Sequence, residues 1–443
     1  MWQMSSLRYT KNGLLPLVLF FGSVTALLFF LIGVILQIEE NPPDSSLPDI
    51  HVTDFGAIPD DGKDDTEAIQ AAIDEAGDGK GIVRIPAGTF HINTDPETGS
   101  LVIPSGSDIR LDKRAALQSI PNSSPIYRVF TIYNQHDITI KGGTLIGDRY
   151  EHEDTEGEFG HGVFIAGSSY NVRISNVTAK DFWGDGFIIE GDASRGTYPV
   201  RITIDRVTGH NNRRQGLSIT AGKDITVKNS TFSKTNGTEP AAGIDLERDP
   251  PFDLPLEDVL LTGNTLSNND GYGLAFVYAS GNRAEKNKIT HNKEGGVYIG
   301  GSQDVGKAHD NEVVNNTITE NKVGIFINFS TANRISGNTI QKNKTEGISL
   351  MNHVGQNELV KNVVRYNKKT GISIWGGLND QSGITVESNK VKQNGEYGVS
   401  VADVTDASIK DNEITNNKST GLDLKAVGSS DVSGNTVKRN GDD

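Results

Sequence analysis

The 443-residue sequence contains no cysteine. Disulfide staples, thiolate zinc sites, cysteine nucleophiles and cysteine-linked lipid anchors are thereby excluded. Methionine is scarce, at three residues, and histidines do not cluster beyond His152 and His161, so a copper-handling role lacks its ligands. Basic residues number 42 against 57 acidic ones, for a net charge of −15. A sequence-independent nucleic-acid binder is normally basic, so no nucleic-acid partner is expected. Apolar residues reach only 35%, while glycine reaches 50 residues. Glycine is costly in helices, which argues against a tightly packed helical bundle.

What is present divides the chain. No charged residue lies between Lys11 and Glu39, and Leu14–Leu36 is almost wholly apolar. As a helix this stretch would span roughly 34 Å, enough for a bilayer core of about 30 Å. A signal-peptide core is shorter, and no small-x-small cleavage site follows closely, so residues 14–38 read as a single transmembrane signal anchor. Arg8 and Lys11 precede the span, and Glu39 and Glu40 follow it. The positive-inside rule places residues 1–13 in the cytoplasm and the bulk of the chain outside the cell membrane. Residues 39–49 carry three prolines and no periodicity, the composition of a linker.

The remainder repeats. A Gly-apolar-x-apolar-x segment recurs from Gly162 through Gly186, Gly216, Gly243, Gly273, Gly296, Gly324, Gly347, Gly371, Gly398 and Gly421. Between these segments runs a second element with Asn-x4-Asn spacing, as in Asn264/Asn269, Asn338/Asn343 and Asn412/Asn417. The segments alternate with period two, are β-branched, and are too short for helices. A unit with one apolar side must stack on copies of itself to bury that side. The fold class expected is all-β, a right-handed parallel β-helix (solenoid) over residues 131–443, preceded by its first coils. The asparagines suit turns, where left-handed geometry is tolerated, and in register they can hydrogen-bond up the stack. Ahead of the repeats, Ala68, Ile69, Ala72, Ile73 and Ala76 fall on one face of a helix near Thr66–Ala76, capped by Asp64 or Asp65. A helix there would cover the open end of the solenoid.

Three motifs in this region resemble a known family. Asp54-Phe55-Gly56-Ala57, then Asp61-Gly62-x-x-Asp65-Thr66-x-x-Ile69-Gln70, then Val83-x-Ile85-Pro86-x-Gly88-x-Phe90 are similar to the N-terminal segment of the pectate-lyase superfamily, in its rhamnogalacturonase/epimerase-like branch. The resemblance covers roughly residues 50–130, the cap and first coils. The later repeats resemble generic right-handed β-helix repeats, including those of the NosD type. The resemblance implies the β-helix fold and a polysaccharide partner. It leaves hydrolase, lyase, epimerase and inactive binder open.

In each Gly-led strand the x positions point outward. Acidic residues concentrate there near residues 161–249 and thin out beyond, within the expected active coils 158–300. Asp245 and Glu247, two apart on one strand, are the expected catalytic pair, joined by Asp185. Arg213, Arg214, Gln215, Glu190 and His161 are the expected substrate-binding residues on the same face. Tyr298 and Trp375 are the candidates for sugar stacking. Two carboxylates separated by roughly 6.5–9.5 Å suit inverting glycoside hydrolysis, and hydrolysis is the preferred reading. A calcium-dependent lyase would use the same acids to hold Ca²⁺. An epimerase would need an acid and a base on opposite sugar faces. A surface protein that binds glycan without cutting it is the non-enzymatic alternative. No metal ligand set and no oligomeric state can be read from the residues.

Overall fold

Alternating strands of three to eight residues separated by tight turns dictate the architecture. The computed structural model describes residues 47–95, 99–249, 254–303, 306–377 and 382–442. The expected anchor at residues 14–38, and the linker up to residue 46, lie outside them. Among the described residues no helix is long and apolar enough to cross a membrane.

Residues 48–443 wind into parallel sheets of 15, 13 and 14 strands. Each strand pairs with its counterparts one coil before and one coil after, so every sheet runs the length of the winding. The Gly-led segments form the 13-stranded sheet. Inward residues stack into one continuous core: Ile348, Leu350, Ile372 and Ile374 are buried, while Ser373 between the last pair faces out. The repeating glycine exists for close approach. A Cβ on Gly371 would lie 2.6 Å from the Gly398 carbonyl oxygen and 2.7 Å from Asn394 Nδ2 in the next coil. No side chain fits where consecutive coils touch this tightly.

The Asn-x4-Asn pairs build two internal ladders. Asn338 donates through Nδ2 to Asn362 Oδ1 at 3.0 Å and to the Val313 carbonyl at 2.8 Å, and its own Oδ1 accepts from the backbone N–H of Asn316. The same pattern joins Asn343, Asn367, Asn394, Asn417 and Asn440. The expectation that these asparagines take left-handed turn geometry needs correction. The left-handed residue is the one before each ladder asparagine, such as Lys286, His291, Lys342, Lys361 or Tyr366. The ladder asparagines are buried, and their amides satisfy turn N–H and C=O groups that no strand can reach.

Helix α1 (Thr66–Ala76) buries Ile69, Ala72, Ile73 and Ala76 against this core. Asp64 Oδ1 accepts the Thr66 N–H, the capping contact, whereas the Asp65 carboxylate ties down Ile58 and His91 backbone N–H groups.

Candidate active site

The register of the 13-stranded sheet sets outward side chains in columns. One column runs Thr131, Phe164, Ile188, Ser218, Asp245, Ala275, Tyr298, Phe326. A second, two residues further along each strand, holds Tyr133, Ala166 and Glu190 in successive coils and, after Thr220, Glu247 and Val277. His161 pairs with Arg128 at the start of the strands, and Asp185 and Gln215 stand just before Gly186 and Gly216. Adjacent strands are ~4.8 Å apart, so residues distant in sequence become neighbours.

Asp245 is 2% exposed. Gln215 Nε2 donates to its Oδ2 at 2.8 Å, and the Gln215 side-chain oxygen accepts the Ala242 N–H at 2.9 Å, which fixes the amide's orientation. Asp245 Oδ1 is buried with no donor against it. Burial, and then the charge of Glu247, hold the Asp245 carboxyl well above the usual carboxylate range. Glu247 is also raised, by burial and then by Asp249, but its hydrogen bond with Asp245 pulls it back down. The two carboxyls thus titrate as an interacting pair, and the larger upward push falls on Asp245.

Asp185 is fully buried. Burial pushes its carboxyl up to about 6, against the opposing pull of Arg214, whose Nη1 lies 3.1 Å from Oδ2. It also hydrogen-bonds Ser218, directly beside Asp245 in the column. The Asp185 backbone N–H donates to His161 Nδ1 at 3.2 Å. Neutral His161 therefore carries its proton on Nε2. Burial, then Arg128 and Arg214, hold the imidazole well below its ordinary pKa. Burial lowers Arg214, but the charges of Asp185, Glu158, Asp245 and Glu247 more than offset it. Its Nε is buried without a hydrogen-bond partner, 3.8 Å from Glu158 Oε1.

Glu190 is raised by burial, countered by Arg128 and raised further by Asp249. It lines a cavity of about 300 Å³ with Tyr133, Phe164, Asp192, Arg248 and Asp249. Of the expected residues, Asp185, Glu190, Arg214, Gln215, Asp245, Glu247 and His161 come together. Arg213 does not enter this cluster: its guanidinium lies 3.7 Å over the Trp183 ring and donates to the Gly157 carbonyl. Trp375 stands five strands beyond Asp245, roughly 24 Å along the rod, and donates to Asp403. Tyr298 is two strands from Asp245.

Arg128 went unnoticed in the sequence. Arg128 belongs to a strand without the leading glycine, so it fell outside the repeat alignment. Its guanidinium covers the Phe164 ring at 3.8 Å, and its buried Nε has no partner. Glu158 and Asp249 sit on loops. Among the described residues no group of three or more His, Asp or Glu is arranged to hold a metal ion.

Residues 161–304, 202–364, 255–403 and 370–443 match, in overlapping segments, the right handed beta helix region. The chain belongs to the right-handed β-helix family. Residues 50–100 also match the rhamnogalacturonase A/epimerase, pectate lyase-like family. The uncharacterized protein YclG of Bacillus subtilis is 28% identical over 421 residues, covering 86% of this chain and 66% of that one. Mannuronan C5-epimerase AlgE3 of Azotobacter vinelandii is 26% identical over 257 residues, covering 50% of this chain and 13% of that one. The chain thus spans less than two thirds of the length of either relative. Among solved structures, the family 28 exopolygalacturonase of Yersinia enterocolitica superposes with a TM-score of 0.61 at 16% identity, covering 89% of this chain and 80% of that one. At that identity the likeness speaks for the fold alone.

Proposed function

We propose that this β-helix acts on a polysaccharide and hydrolyses its glycosidic bonds. The observation that carries the reading is the buried Asp245 carboxyl beside Glu247 on the outer face, held well above the usual carboxylate range by burial and then by the charge of Glu247. Asp185 stands just before the strand two steps from that of Asp245, and its charge acts on Asp245. Asp245 gives its proton to the leaving glycosidic oxygen as the C–O bond breaks. Asp185, ionised above about pH 6, takes a proton from the water that forms the new C–O bond. Gln215 orients Asp245, and Arg214 restrains Asp185. Arg214 and Glu158 cover both acids, and their 3.8 Å contact is the one a sugar has to displace.

Kinship to a mannuronan C5-epimerase over half of the chain favours a second reading, epimerisation of a uronate. His161 does not suit the base that step needs, because its Nδ1 already accepts a hydrogen bond and its Nε2 is protonated. The reading further places the solenoid outside the cell on the Leu14–Leu36 anchor, on the strength of the flanking charges. Incubating the protein with alginate, polygalacturonate, xylan, chitin oligomers and dextran separates the reactions. New reducing ends without unsaturated products support hydrolysis. Deuterium uptake at C5 in heavy water without chain cleavage would replace hydrolysis by epimerisation.

A further inference from the structure

A basic patch on a chain of net charge −15 calls for its own explanation. One sits on the 14-stranded sheet. Its strands Thr339–Gln341, Val363–Arg365 and Lys390–Lys392 pair in register, which sets Arg365 beside Lys392 and Val363 beside Lys390. The middle residues, Ile340, Val364 and Val391, are buried, so the flanking side chains face out. The turn after each strand adds more. Ladder residues Asn343, Asn367 and Asn417 are buried there, which leaves Lys344, Lys368 and Lys418 exposed one position later. Backbone bonds fix their register: the Lys368 N–H donates to the Asn343 carbonyl, and the Lys418 N–H to that of Asn394. Lys344 and Lys368 therefore stand one coil apart, ~4.8 Å, with Lys418 two coils further on.

Little of this charge is paired. Lys369 lies 3.6 Å from Glu346. Among the described residues, Lys342, Lys344, Lys368, Lys390, Lys392 and Lys418 make no ion pair. Glu396 and Glu413 are the acids interleaved with them. Like charges side by side on neighbouring strands destabilise a sheet, so Arg365 beside Lys392 is a cost that a bound polyanion removes. Tyr366 stands among the cations, 43% exposed, with the Arg365 guanidinium 5.5 Å from its ring centroid.

We infer that these coils hold a second binding site, for an acidic polysaccharide, away from the carboxyls. The strand that follows Lys344 lies four strands beyond that of Asp245, roughly 19 Å along the rod. Lysines meet the carboxylates of successive sugars. Tyr366 offers a flat face to a sugar ring, a contact that a bare phosphate group cannot use. The site needs no chemistry at Asp245, so it stands whether or not the polymer is cut. In a protein that cuts, it keeps the polymer at hand between cleavages.

The test measures retention. The full chain, held in nanodiscs of zwitterionic lipid, is passed in the cold over beads bearing polygalacturonate, alginate, dextran, long-chain polyphosphate or a phosphatidylglycerol bilayer. Retention on an acidic polysaccharide, absent on dextran and weakened by salt, is expected. The triple variant Lys344→Glu/Lys368→Glu/Lys392→Glu should lower that affinity at least ~10-fold, the scale of a few exposed ion pairs. Lys→Gln changes at the same positions serve if the glutamates disturb folding. Tyr366→Ala should cost ~3–10-fold on the acidic polysaccharide, the scale of one aromatic contact, and nothing on polyphosphate. Affinity unchanged in the triple variant, or no retention on any bead, overturns the site. Retention lost in Arg214→Gln but kept in the triple variant places binding at the carboxyls and also overturns it. A tighter hold on polyphosphate or on the bilayer, abolished by the triple variant, gives the patch to phosphate groups and overturns the sugar.

Discussion

Gln215 points its amide nitrogen at Asp245 Oδ2 from the preceding coil, 2.8 Å away, and cannot turn round because the Ala242 N–H holds its oxygen. Oδ2 thus accepts a hydrogen bond, while Oδ1 is buried without a partner. The nearest acceptor charge acting on it is Glu247. The amide that meets Asp245 is therefore oriented by a backbone N–H of the next coil, not by a mobile ion pair.

The catalytic assignment makes a direct forecast. Asp245→Asn, which removes the acid, and Asp185→Asn, which removes the base, should each lower kcat at least ~100-fold, the scale of general acid–base catalysis. Gln215→Leu should shift the alkaline limb of the rate profile, because it removes the bond that fixes the Asp245 proton. Steady-state rates across pH on the polymer that is cut provide the check. Wild-type rates retained in the Asp245/Glu247 double variant would remove the site.

Asp185 gives the pH dependence a sign. Its carboxyl titrates near 6 when folded and near the ordinary 3.8 when unfolded. The folded state thus binds more protons between these values, so stability is greatest below about 3.8 and falls as pH rises through about 6, by ~3 kcal/mol if the shift is taken at face value. The buried acids Asp245 and Glu247 contribute in the same direction. Urea unfolding at pH 5 and pH 8 should show the wild type less stable at pH 8, and Asp185→Asn should narrow the difference. Hydrolysis runs the other way on this limb. Its rate should climb as pH passes about 6 and Asp185 becomes ionised.

The asparagine ladders predict large local costs. Asn338 is buried, and its amide donates to the Val313 carbonyl and to Asn362 while accepting from Asn316. Asn338→Ala strips several buried groups of their partners at once and should cost ~3–5 kcal/mol. Lys342 precedes Asn343 with φ of 57°, the geometry glycine adopts without strain, so Lys342→Gly should be neutral or mildly stabilising. Denaturant midpoints for the two variants should differ widely; similar values would mean the ladder carries little.

Much of this was legible in the sequence because a solenoid writes its period into the chain. The glycines that start each strand and the ladder asparagines mark coil contacts, and they set the register that brings Asp185, Gln215 and Asp245 onto one face. The same pattern concealed Arg128, whose strand has no glycine to announce it, and it assigned Arg213 and Arg214 together although adjacent residues at a turn diverge. Whether Asp245 and Glu247 enclose a water or share a proton depends on rotamers and burial, which spacing along a strand does not encode. Trp375 satisfied the outward pattern, but its coil number, not its side-chain direction, removes it from the acids.

The strap over the acids offers the last forecast. Residues 149–158 are pinned at one point by Trp183, whose Nε1 donates to the Gly157 carbonyl at 3.0 Å while its ring stacks on His152 at 4.3 Å and carries Arg213 on its other side. At the other end Arg149 donates to the Asn211 and Asn236 carbonyls. The strap's Glu158 reaches Arg214, so its position governs how closely the acids are covered. Trp183→Ala removes the hydrogen bond, the stack and the cation–π contact together. Amide exchange in residues 150–158 should then rise by an order of magnitude or more, while the neighbouring strands Tyr170–Ser175 and Val200–Asp205 stay protected. Rates on short oligosaccharides should move with the strap. Exchange that rises equally in those strands would mean Trp183 supports the coil itself and the strap has no separate hold.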